Sequence, residues 1–180
     1  MLTLVSWNIQ YGKGVDGRVD FGRIAETVQK DGLPDVLCFQ EVSRNYPSND
    51  EGADQVRELE ILFPDYEPFF GAVHDRSGRK GEARKQFGNL VLSRLSPVQV
   101  LHHLLPSPAD PEVKFMSRQI AELVIPANTT DLRVMTTHLE FFSEIQQLAQ
   151  IQRIREIHEE ASCQFHNPGK DMPDTPFELV

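Results

Sequence analysis

The sequence predicts a strand-rich α/β sandwich with its helices on the outside, and three observations carry that expectation. The opening of the chain alternates strand, helix and strand. Its middle is a succession of short apolar runs broken by Pro, Gly and Asn. One long helical pattern follows. An order of this kind buries sheet faces against each other and leaves the helices as outer layers.

Residues 2–9 form an apolar-biased strand with Trp7 and Asn8 near its C-terminal end. Gly12, Gly14 and Gly17 mark the loop that follows. Their spacing loosely echoes a dinucleotide fingerprint, but helical residues begin only after Asp20, so no glycine opens a helix N-terminus as that motif requires. Asp20 is the expected N-cap of a helix over residues 21–30, with Ile24, Ala25 and Val28 as its apolar stripe. Gly32-Leu33-Pro34 ends it. Residues 36–39 are an apolar run too short for a helix, bounded by Pro34-Asp35, and read as a buried strand. That strand stops at Gln40 and Glu41. If both strands run the same way in one sheet, Asn8 and Glu41 lie side by side at C-terminal strand ends, where open α/β sheets place ligand chemistry. The other reading of Glu41 is a solvated strand-end charge.

Residues 43–54, with Pro47 and Gly52, read as a polar loop. Residues 55–63 form a helix with Val56, Leu59 and Leu62 inward, stopped by Pro64. Extended segments follow at 66–73, 87–92 and 98–105, then a Pro-rich loop over 106–111. Strands at 119–125 and 132–137 flank a turn at 128–131, and the second ends in His138. Ile145, Leu148, Ile151, Ile154 and Ile157 read as the inward stripe of a helix over residues 144–161, with a polar opposite face. Beyond Gln164 the pattern dissolves at Pro168, Gly169, Pro173 and Pro176. The expected organisation is one domain over residues 1–163 and an irregular tail over 164–180.

A chain of 180 residues suits one domain with a sizeable core. Its 39% hydrophobic and 25% charged residues are ordinary for a globular protein. No run approaches the roughly 18 apolar residues of a membrane span. The first residues lack the basic and long apolar regions of a signal peptide, so a cytoplasmic location is the expectation. A net charge of −9 argues against gripping nucleic acid by bulk electrostatics. It does not exclude a nuclease, because a bound metal ion can supply local positive charge. Residues 75–85 run against the balance, with Arg76, Arg79, Lys80, Arg84 and Lys85 against Asp75 and Glu82. They form either a solvated loop or one that meets phosphates. Cys38, inside the apolar run and far from Cys163, reads as a small core residue.

Asn8, Glu41 and His138 thus stand at the ends of three apolar strands. Together they suit phosphate-ester hydrolysis. A carboxylate binds a hard cation such as Mg²⁺, which needs few protein ligands. The ion polarises a phosphoryl oxygen, while His and Asn donate hydrogen bonds as charge builds. The plainer reading of His138 is a satisfied strand-end histidine.

Four stretches resemble the successive motifs of the endonuclease/exonuclease/phosphatase superfamily, across residues 2–160. They are Trp7-Asn8-Ile9-Gln10, Leu37-Cys38-Phe39-Gln40-Glu41-Val42, Gly88-Asn89-Leu90-Val91-Leu92-Ser93-Arg94 and Thr136-Thr137-His138-Leu139-Glu140. The resemblance implies a four-layer α/β/β/α sandwich of the pancreatic deoxyribonuclease type and Mg²⁺- or Mn²⁺-dependent cleavage of phosphoesters. By position it implies Glu41 as a metal ligand, with Asn8 beside it on the metal and in catalysis. It also implies His138 as a catalytic contact to the scissile phosphate and Arg118 as a further phosphate contact. After Gln40-Glu41 the chain reads Val42-Ser43, where the abasic-site endonuclease branch has Thr-Lys. It is closer to the branch with sphingomyelinase-like and phosphatase-like members, which leaves the substrate open: DNA, RNA, phospholipid or a small phosphate ester.

The superfamily's later Gly-Asp-x-Asn and Ser-Asp-His motifs do not occur in this sequence. The resemblance therefore implies the N-terminal portion of such an enzyme. Its second sheet would lack strands, and an apolar face would be covered by another chain, as in a homodimer. Two functional expectations follow. One is a metal-dependent phosphoesterase acting on a phosphate ester. The other is a non-catalytic module that keeps the scaffold and dimerises through its exposed sheet.

Overall fold

A computed structural model describes residues 2–50, 52–127 and 131–167. Most of the turn read at 128–131, and the tail beyond Asn167, lie outside the described residues.

The opening strand–helix–strand unit forms as the pattern dictates. β1 (Leu4–Asn8) and β2 (Val36–Arg44) pair in parallel, with Asn8 opposite Gln40. α1 (Phe21–Gln29) crosses between them, and the Asp20 carboxylate caps it by accepting the Arg23 N–H. The stretch read as a polar loop holds a short helix, α2 (Pro47–Asp50). α3 (Gln55–Leu62) follows, capped by Asp54. β3 (Glu67–Arg76) and β4 (Lys85–Ser93) form an antiparallel hairpin, and β4 also pairs with β2, giving the order β1-β2-β4-β3. β5 (Gln99–Leu104), β6 (Gln119–Ile125) and β7 (Leu132–Thr137) make a separate antiparallel sheet in that order. The last helix is α4 (Glu144–His166).

Strand alternation sorts the apolar residues into three layers. Leu37, Phe39, Leu90 and Leu92 face outward from the first sheet onto Ile24 and Val28 of α1 and Val56 and Leu59 of α3. Their strand neighbours Val36, Cys38 and Val91 face the other way and meet Ala121, Leu123, Ile125 and Val134 of the second sheet. Ile120 packs outward against Ile157 of α4. Three apolar layers between four structural ones make the α/β/β/α sandwich that the sequence implied. Cys38 is a buried core residue, as expected, and burial pushes its thiol up to about 11. Among the described residues no helix is long and apolar enough to cross a membrane.

α4 corrects two expectations. It runs to His166, past the expected end at residue 161, because no helix breaker intervenes before Pro168. It also does not bury the expected stripe. Ile157 is buried, yet Ile145, Leu148 and Ile151 are exposed, by 57% and 59% in the first two. The reason is geometric: a strict three-residue repeat slips back by about 60° per step on a helix of 3.6 residues per turn, so five such residues wrap around it. The buried face instead carries Gln146 and Gln150. Their amides donate to the Pro108 carbonyl at 2.9 Å and the Pro106 carbonyl at 3.3 Å. Those bonds, with Ser143 Oγ donating to Asp110 at 2.6 Å, tie the Pro-rich loop to the helix.

Candidate functional site

Glu41 does not end its strand. β2 runs on to Arg44, and Glu41 sits in a β-bulge: Phe39 pairs with Leu90 and Val42 with Gly88, so β2 carries one extra residue there. Its backbone is left-handed, with φ +61°. A bulge of this kind re-aims a side chain out of the ladder, and a residue with a Cβ adopts the left-handed region at a cost of roughly 1–2 kcal/mol. The usual order of Ala and Gly in a strand should therefore invert here. Glu41→Gly is expected to be more stable than Glu41→Ala by about 1 kcal/mol in urea unfolding. An alanine variant at least as stable as the glycine one would refute the strain.

The structure brings the three sequence-derived residues together. Asn8 Nδ2 donates to Glu41 Oε1 at 3.0 Å. The Gln10 N–H donates to Asn8 Oδ1 at 3.0 Å, which fixes the amide's orientation. His138 Nδ1 stands 3.4 Å from the same Glu41 oxygen, without hydrogen-bond alignment. The His138 ring stacks parallel to Phe141 at 6.1 Å. Burial, then the Arg118 charge, hold His138 below the usual 6.5, against the opposing pull of Glu41 and Glu140. The imidazole is thus neutral near pH 7.

Arg118 lies in the same region and is only 5% exposed. Its Nη2 donates to Glu140 Oε2 at 3.3 Å, while its Nε has no partner. Glu140 Oε1 accepts the Phe141 and Phe142 N–H groups, each at 2.9 Å. Burial works against ionisation of Glu140, but those two N–H groups and Arg118 outweigh it and keep the carboxyl below its ordinary value.

Toward this end of the sandwich the layer between the sheets turns polar. Gln40 Nε2 donates to Thr136 Oγ1 at 2.7 Å across the sheets, and it also lies 3.1 Å from the Cys38 carbonyl and 3.2 Å from Ser6 Oγ. Asn89 donates to the Gln119 carbonyl. The side chains of Arg118, Gln119, His74 and His138 each keep one buried nitrogen without a hydrogen bond. Arg118 and Gln119 adjoin, and the Arg118 charge helps lower both His74 and His138, in each case after burial. Buried polar atoms are normally paired, so the Arg118 Nε in particular is open to an acceptor.

Gln40, Thr136, Gln119 and Glu140 received no role from the sequence. A signal was present for two of them. Gln40 shares the strand parity of Val36 and Cys38, and Thr136 that of Val134, so both had to face the layer between the sheets. Nothing local marked Glu140 as the partner of Arg118.

The two sheets of the four-layer sandwich thus bring a carboxylate, an amide and a histidine together. The model of the Endonuclease/Exonuclease/phosphatase family matches residues 5–157, and the chain belongs to that family. It is similar to the crystal structure of an endonuclease/exonuclease/phosphatase from Beutenbergia cavernae DSM 12333. The two are 26% identical with a TM-score of 0.70, over 86% of this chain and 43% of that one. Truncated Caenorhabditis elegans TDP2 is 22% identical with a TM-score of 0.58, over 93% of this chain and 58% of that one. The human Nocturnin catalytic domain with bound sulfate anion is 18% identical with a TM-score of 0.55, over 89% of this chain and 61% of that one. The last two likenesses bear on the fold. The chain spans from 43% to 61% of the length of these three structures. No curated protein matches it.

Proposed function

We propose that the chain carries the metal- and phosphate-binding part of a divalent-cation-dependent phosphoesterase. The observation that supports this best is a strained, amide-held carboxylate beside His138, with a buried Arg118 whose Nε has no partner. The first suits a cation and the second a phosphate.

The donor set fits Mg²⁺ or Mn²⁺. Among the described residues no three His, Cys, Asp or Glu side chains gather into a cage. Mg²⁺ does not need one, since it is held by one or two carboxylates plus substrate phosphates. Glu41 would hold it. Asn8 orients that carboxylate, and its Oδ1, with one lone pair taken by Gln10, has a second to offer. Held by Glu41 and Asn8, such a cation would supply the positive charge that phosphoryl oxygens and a departing oxyanion need. His138, neutral near pH 7, and Arg118 donate hydrogen bonds to the phosphate. Gln40 locks β2 to β7 and so keeps Glu41 and His138 in register across the two sheets.

Hydrolysis of bis(p-nitrophenyl) phosphate tests this, with and without Mg²⁺ or Mn²⁺. Turnover that depends on the ion, and falls at least about 100-fold in Glu41→Ala, is the expected result. Equal turnover in the variant would overturn the reading.

One observation favours a second reading, a module that keeps the scaffold and pairs with another copy. Phe141, Phe142, Ile145 and Leu148 form a run of exposed apolar side chains from the turn before α4 into its first turns. A dimer by light scattering that reverts to monomer in Leu148→Lys would support it. A monomer at every concentration would remove it.

A further inference from the structure

An aromatic cleft of about 310 Å³ is lined by Tyr11, Tyr46, Phe87 and Phe115, with Asn49 and Arg76 among its polar members. We propose that it binds the nucleobase of a nucleotide phosphoester whose phosphate lies at Glu41, His138 and Arg118. The inference rests on the phosphoesterase reading and names the substrate class.

The lining belongs to the segments that carry the site. Tyr11 is in the turn after Asn8, whose Oδ1 holds that turn through the Gln10 N–H. Gln55 fixes the turn by donating to the Tyr11 carbonyl at 2.9 Å, and accepts the Ser43 N–H beyond the Glu41 bulge. Tyr46 follows β2 and meets Phe87 edge-on at 6.5 Å. Phe115 precedes Arg118 in the loop latched to α4. His74 also lines the cleft, and it is one of the residues with a partnerless buried nitrogen in the field of Arg118. The cleft therefore draws its lining from the segments that carry the phosphate donors, and His74 links it to Arg118.

The chemistry of the lining selects a flat, polar-edged ring. Four aromatic side chains in the lining favour a π-system, and aromatic stacking tolerates any base. Asn49 and Arg76 provide hydrogen-bond groups of the kind that read base edges. The volume sits at the low end for ligand pockets, which suits one ring system and is small for an acyl chain. The β3–β4 hairpin brings further positive charge. Arg84 is spent on Asp75 at 2.6 Å, but Arg76, Arg79, Lys80 and Lys85 remain on the same hairpin, which Asn45 ties to the end of β2 through the Arg84 carbonyl. That charge suits an adjoining phosphate, whereas the net charge of −9 disfavours a long duplex.

Calorimetric titration of the full chain with AMP, ribose 5-phosphate, adenosine and phosphocholine tests the assignment. AMP is expected to bind at least about tenfold tighter than ribose 5-phosphate, the advantage that stacking one base supplies. That advantage should vanish in Phe115→Ala, whose side chain is exposed and whose loss should leave the melting curve unchanged. Adenosine alone should bind, and should bind equally in Glu41→Gln. Equal binding of AMP and ribose 5-phosphate would overturn the proposal, as would phosphocholine binding more tightly than AMP. An AMP advantage that survives in both Phe115→Ala and Tyr46→Ala would overturn it too. If adenosine binds as expected while no ion-dependent turnover is found, the cleft stands and the phosphoesterase reading falls.

Discussion

Glu140→Leu is expected to destabilise the domain by about 3–5 kcal/mol, because it leaves the Arg118 guanidinium buried without its counter-charge. Neither side chain has an alternative in water: Glu140 is fully buried and Arg118 nearly so. The change also frees the Phe141 and Phe142 N–H groups that the carboxylate holds. The paired variant Arg118→Met with Glu140→Leu should recover much of the loss, since replacing both ions with apolar groups removes the uncompensated charge. A urea-unfolding cycle over the four proteins measures this, and a double variant no more stable than Glu140→Leu would refute the coupling. The pH dependence has a definite sign. Folding holds Glu140 below its ordinary value of 4.5, so its contribution is complete above that value and is lost as pH falls through the lower, folded one. The double variant should therefore lose less stability than the native chain on acidification below about pH 4.5.

Gly88→Ala is expected to cost more than about 4 kcal/mol or to prevent folding. A Cβ at Gly88 would overlap the Gly71 carbonyl oxygen, lie 2.8 Å from the Gly71 carbonyl carbon and stand 3.1 Å from the Ala72 Cα. All three are backbone atoms of β3, held by the ladder, and cannot swing aside. Both partners of β4 bulge nearby, β2 between Phe39 and Val42 and β3 between Ala72 and His74. Gly71→Ala is the contrast. Its Cβ would meet Gln119 Nε2 at 2.5 Å and His102 at 2.8 Å, which are ends of side chains that can move. A cost of about 1–2 kcal/mol follows. Thermal unfolding of the two variants decides it, and equal melting temperatures would show that the strand contact yields.

The sandwich was legible in the order of its strands and helices and in the four family motifs, and the parallel pairing of β1 with β2 put Asn8 and Glu41 together as expected. His138 was grouped with them by its own place at a strand end and by the family motifs, since no local signal tells which strand ends meet across two sheets. The bulge was not legible. One extra residue in a ladder depends on what the partner strand does, so Glu41 looked like a strand end when it is a kink within a longer strand. The α4 stripe misled for the opposite reason: its residue types were right and their repeat was slightly off the helical period. The Arg118–Glu140 pair was hidden because its partners are far apart in the chain and meet only through tertiary packing.

The hold of α4 on the Pro-rich loop has a consequence for how this protein can vary. Gln146 and Gln150 bind carbonyl oxygens, at Pro108 and Pro106, and every residue type presents the same oxygen. The loop can therefore exchange its side chains at those two positions and keep its course. The glutamines have no such freedom, since a shorter, longer or non-donating side chain would release the segment that ends in Arg118. Among sequences of this kind, tolerance should fall on the loop and constraint on a helix face that looks, by composition, like ordinary polar surface.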